Sequence, residues 1–62
     1  MNKFKVNTTP NNNRLAVMGI IEGTIFRIIK RVNGMVQIRL KGSDIVIKEE
    51  LFKEIDYDKQ IN

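Results

Sequence analysis

Two β-prone runs, Ile25 to Val32 and Met35 to Lys41, meet at Asn33-Gly34, and an Asn-Gly pair between such runs is the strongest short-range signal for a hairpin. A hairpin of this length fills about a quarter of a small domain, so its register governs which side chains can form a core. A two-residue loop would set Val36 opposite Arg31 and Leu40 opposite Arg27, which puts charges among the apolar set. A three-residue loop that includes Met35 pairs Val32 with Val36 and Ile28 with Leu40, leaving Lys30 opposite Ile38 as the misfit. The three-residue loop is the expected register. It turns Phe26 inward and leaves Met35, Gln37, Arg39 and Lys41 facing outward with Arg27 and Arg31, as one basic sheet face.

The flanking segments are shorter. Lys3-Phe4-Lys5-Val6 alternates polar and apolar, as a strand over about 3–6 with Phe4 and Val6 inward would. Residues 7–13, Asn-Thr-Thr-Pro-Asn-Asn-Asn, form a loop signal, because Asn and Thr compete for local backbone bonds and Pro10 removes a donor. A helical turn over 14–18 follows, capped by Asn13 or Asn12 and stopped by Gly19 in a left-handed conformation. So short a helix forms only when docked, and Leu15 and Met18 are its inward residues. Glu22-Gly23 is a tight turn that launches the hairpin over 24–41. Residues 44–48 alternate with Ile45 and Ile47 inward, 49–54 make a second helical turn favoured by the acidic Glu49-Glu50 at its start, and 55–57 return as a short strand before a frayed tail from Asp58. The expected fold is all-β: a small SH3-like barrel of four to five short antiparallel strands with a short helical turn, in one domain over 1–62.

At 62 residues the core is near the lower limit for folding without staples, and the chain has no Cys and no His. Disulfides, thiolate or imidazole zinc sites, a cysteine nucleophile and a histidine base are thereby excluded. The carboxylates Glu22, Asp44, Glu49, Glu50, Glu54, Asp56 and Asp58 lack the desolvated cleft that acid-base catalysis needs, and nothing spaces them as an oxygen cage for a hard cation. The expectation is no enzyme, no cofactor and no metal. No signal peptide or membrane span is present, so the chain is expected to be cytoplasmic, without membrane insertion.

The formal charge of +4 is uneven. Residues 1–43 carry eight Lys or Arg against Glu22, whereas residues 44–62 carry three Lys against six acids. A basic body can meet an anionic partner, and Arg27, Arg31, Arg39 and Lys41 are the residues that would carry nucleic-acid binding. That reading lacks stacking platforms, because Phe4, Phe26, Phe52 and Tyr57 are the aromatics and Phe26 points inward. It stands as the alternative.

The order Arg14-Leu15, Met18-Gly19, Gly23-Thr24, followed by Gly42-Ser43-Asp44-Ile45-Val46-Ile47-Lys48-Glu49-Glu50, resembles small FeoA proteins of ferrous iron transport over roughly Arg14 to Ile55. The resemblance implies the SH3-like fold and a regulatory module that works by contact with the cytoplasmic part of FeoB, the membrane ferrous iron transporter. A related domain ends some iron-dependent repressors, but no helix-turn-helix pattern precedes it here, so the stand-alone accessory is implied. The expected contact residues are Arg14, Val17, Ile20 and Ile21. FeoA chains carry a longer first strand, and the short one here is expected to leave a sheet edge open, through which copies of the chain could associate.

Overall fold

The computed structural model describes residues 2–10 and 13–60. Five antiparallel strands, β1 (Phe4–Thr8), β2 (Ile25–Val32), β3 (Met35–Leu40), β4 (Ser43–Lys48) and β5 (Asp56–Lys59), form one sheet in the order β4-β3-β2-β1-β5. Two short helices, α1 (Asn13–Val17) and α2 (Glu49–Phe52), accompany it. The all-β class holds. Strands β4 and β5 are not paired with each other, so the sheet is not closed into a barrel.

The hairpin register differs from the expected one. Asn33 and Gly34 both have positive φ, 51° and 75°, which is the backbone of a two-residue type I′ loop, and Val32 pairs with Met35 and Arg31 with Val36. The feared consequence, Arg27 opposite Leu40, is avoided by a bulge at Ile29: the ladder resumes with Ile28 opposite Ile38 and Arg27 opposite Arg39. One extra residue in β2 thus keeps Phe26 and Ile28 inward although the loop is short. Arg31 is left on the inner side, beside the fully buried Val36.

Strand β2 also changes partner along its length. Its first residues pair with β1, as Phe4 with Phe26 and Lys5 with Ile25, while the ladder with β3 begins at Arg27. Bonds from Val6 N–H to Thr24 O (2.9 Å) and from Gly23 N–H to Val6 O (2.8 Å) extend the first pairing. Strand β1 therefore lies inside the sheet, between β2 and β5, and the open edges are β4 and β5 rather than β1.

Other boundaries shift for side-chain reasons. Asn7 and Thr8 belong to β1 instead of the loop, because the Asn7 amide donates to Asp58 (2.8 Å) and the Thr8 hydroxyl to Asp56 (3.4 Å) across to β5. The same pairing carries β5 to Lys59, and Gln60 N–H reaches Lys3 O at 2.8 Å, so the expected fraying does not begin at Asp58. Asn13 is the first residue of α1 rather than its cap; Asn12, the other candidate cap, lies outside the described residues, as does Asn11 of the expected loop.

Val6, Leu15, Ile20, Phe26, Val36, Ile38, Ile47, Phe52 and Ile55 form the core. All four aromatic residues of the chain meet around it: Phe26 stacks on Phe4 at 5.6 Å and meets Tyr57 and Phe52 edge-on at 5.3 and 6.0 Å. Such pairs add about 0.5–1.5 kcal/mol each beyond the area they bury, which matters in so small a core.

Candidate functional site

The helix-turn block between β1 and β2 is built around two buried anchors. Gly19, with φ 87°, ends α1: Ile20 N–H bonds Leu15 O (2.9 Å) and Gly19 N–H bonds Ala16 O (3.0 Å), the two hydrogen bonds of a Schellman motif. That geometry turns the chain so that Leu15 and Ile20, at the two positions the motif brings together, both enter the core, at 0% and 1% exposure. The next turn is tied as firmly. Thr24 N–H bonds Ile21 O, and the Thr24 hydroxyl accepts from Ile21 N–H (3.1 Å) and donates to Gly19 O (3.2 Å). Gly23, with φ 88°, holds the position in this turn that a side chain would strain.

Val17, between the anchors, and Arg14 and Ile21, just outside them, point the other way, whereas Met18 packs partly buried against the core. Val17 is 85% exposed and Ile21 54% exposed, and Arg14 is exposed beside them on the sequence. Of the four expected contact residues, Arg14, Val17 and Ile21 are on the surface. Ile20 is not: the Schellman turn sends it into the core, so it has no face to give a partner. A glycine at position 19, four residues after Leu15, is the signal that could have assigned Ile20 inward.

The four expected basic-face residues are not brought together. Arg27 and Arg39 sit opposite each other on the outer face, and Lys41 follows at the end of β3. Arg31 is across the sheet, where its guanidinium lies 5.2 Å from the centre of the Phe52 ring and bonds Glu49 at 3.1 Å. Arg39 is engaged as well, by a two-pronged pair with Asp44 at 2.7 and 3.0 Å. The hydrogen bond from Arg39, foremost, holds the Asp44 carboxyl below its ordinary value, and the same bond raises Arg39. Both partners are well exposed.

Carboxylates are dispersed rather than convergent. Glu49 serves Arg31, Asp44 serves Arg39, and Asp56 and Asp58 accept bonds from β1. Among the described residues no three acidic groups come together as a metal site. No helix is long and apolar enough to cross a membrane.

The sequence model of the FeoA domain matches residues 3–57, nearly the whole chain. The chain belongs to the FeoA family. A comparison with curated proteins and one with solved structures return no match. FeoA membership places the chain in ferrous iron transport, as a small accessory domain from a family not known for catalysis. The match includes the helix-turn block and both ends of the hairpin, so the resemblance noted from Arg14 to Ile55 extends back through β1.

Proposed function

We propose that this FeoA domain is a cytoplasmic, non-enzymatic accessory that regulates ferrous iron transport by contact with the cytoplasmic part of FeoB, and that the contact is made by Arg14, Val17 and Ile21. The observation that carries the choice of surface is the exposure of Val17 and Ile21, 85% and 54%, on a segment fixed by backbone hydrogen bonds and two buried anchors. Exposed apolar side chains on a rigid turn lose little entropy when a partner covers them, which favours docking. Neither is needed by the core. A small antiparallel sheet with dispersed carboxylates suits the same role, because such a module acts by presenting surfaces rather than by chemistry. The split of the basic residues, with Arg31 turned away, counts against a nucleic-acid face.

The test is a calorimetric titration of the chain into the isolated cytoplasmic part of FeoB. Val17→Ser with Ile21→Ser should weaken the contact at least tenfold while the melting temperature stays close to wild type, since exposed substitutions usually move stability by less than about 0.5 kcal/mol. Undiminished binding by the double variant would remove this surface from the reading, and no binding by wild type would remove FeoB.

A further inference from the structure

A second feature lies outside the helix-turn block, where β2 changes partner. The ladder between β2 and β3 stops at Arg27 opposite Arg39, and the ladder between β1 and β2 begins one residue earlier, at Phe26. The end of β3 and the start of β1 therefore splay apart. An open cleft of about 480 Å³ results, floored by Ile25, Phe26 and Leu40 and rimmed by Lys3, Arg27, Arg39, Lys41 and Gln60. The bond from Gln60 N–H to Lys3 O (2.8 Å) fixes its far wall.

The rim is charged on one side of the ledger only. Four cations from three strands or their ends border it, and no carboxylate does. Asp44 neutralises Arg39 from outside the cleft. Lys3, Arg27 and Lys41 have no ion-pair or side-chain hydrogen-bond partner among the described residues. Arg27 also stands directly opposite Arg39, an arrangement of like charges that costs stability in an antiparallel ladder unless an anion relieves it. Elsewhere on the molecule Arg31 has been given both a carboxylate and an aromatic ring.

We infer that this cleft binds a phosphate-bearing small organic anion, with the phosphate held by Arg27, Lys41 and Lys3 and the body of the ligand on the Ile25 and Leu40 floor. A guanidinium matches a phosphate through two parallel hydrogen bonds, and lysines add charge without demanding geometry. Convergence of the cations on one cavity, within the size range of small-molecule sites, suits a compact dianion better than the spaced carboxylates of an acidic peptide. Nucleic acid would want exposed aromatic rings beside the cations, and Phe26 shows the cleft only its buried edge, at 1% exposure.

Phenyl phosphate is the probe, titrated into the isotope-labelled protein and followed by amide chemical shifts at constant ionic strength, with inorganic phosphate and benzoate alongside. The expected result is saturable binding with shifts confined to Lys3, Ile25 to Arg27 and Leu40 to Lys41, tighter for phenyl phosphate than for either comparison anion. Arg27→Gln and Lys41→Gln should each weaken it at least fivefold, and Arg31→Gln less than twofold. Arg27→Gln removes a like-charge pair, so it should fold at least as well as wild type, and Lys41→Gln alters an exposed turn residue. Shifts spread over all Lys and Arg without saturation, or binding by both cleft variants as tight as that of wild type, would overturn the site. So would tighter, variant-sensitive binding of poly-glutamate or of a single-stranded RNA oligonucleotide, which would reassign the cleft to those partners.

Discussion

At the turn end of the β2–β3 hairpin Arg31 lies over Phe52 and bonds Glu49, whereas at the open end Arg27 faces Arg39 across the ladder and Asp44 pairs with Arg39 alone. The two ends belong to the same pair of strands and differ by the bulge at Ile29. On the turn side of the bulge the two-residue loop sets the faces, and Arg31 shares the inner face with Val36; on the open side the faces have been reset, and Arg27 points out. A guanidinium that shares a face with the core needs a ring and an acid to be tolerated there. One that points outward can be left without them and remains free for a ligand.

The largest way to break this contrast is Phe52→Ala. It removes the surface beneath Arg31 together with a side chain that is 2% exposed, and such truncations cost about 3–5 kcal/mol. Chemical denaturation should show a protein close to unfolded in water, because a chain this short has little stability in reserve. A midpoint within error of wild type would mean that the turn end does not rest on the ring. Glu49→Gln probes the same end more gently. It removes an exposed ion pair, so the loss should be no more than about 1 kcal/mol and should shrink as salt is raised; a larger, salt-independent loss would show that the Glu49 side chain holds α2 by more than this pair.

The smallest effect is expected at the open end, from pH. Asp44 is held below its ordinary value near 3.8 chiefly by the Arg39 hydrogen bond, so its stabilising contribution is complete above that value and is lost as pH falls through the lowered one. Arg39→Gln should flatten the acid limb of a melting-temperature profile by a small amount and leave the neutral plateau almost level. An unchanged acid limb would show that the pair does not persist in solution.

Features carried by single residues were legible in the sequence. Gly19 as a helix stop, Leu15 as the anchor, Asn33-Gly34 as the turn, and Ile47 as an inward residue all follow from local backbone preference and alternation. The FeoA resemblance was legible from the same glycines. The bulge was not read, although its trace is there: Ile28 and Ile29 are adjacent apolar residues that interrupt the alternation begun at Phe26. Choosing a longer loop absorbed that interruption at the wrong end of the strand. The extension of β1 through Asn7 and Thr8 was hidden for another reason. Both are loop-prone by type, and what makes them strand is bonding to Asp58 and Asp56, partners far along the chain that no local pattern announces. Ile20 joined the surface set because a pair of isoleucines after a glycine gives no face by itself.

The sheet order has a consequence for synthesis. Strands β2, β3 and β4 are neighbours in both sequence and space, and this meander can assemble as soon as it is made. Strand β1 is different: it emerges early, yet its outer partner is β5, with Phe4 set against Lys59. Pairing across so long a span carries the greater loop-closure cost and belongs to the slow part of folding. Until β5 is in place β1 is therefore paired with β2 alone, and its outer edge is available to another strand during folding.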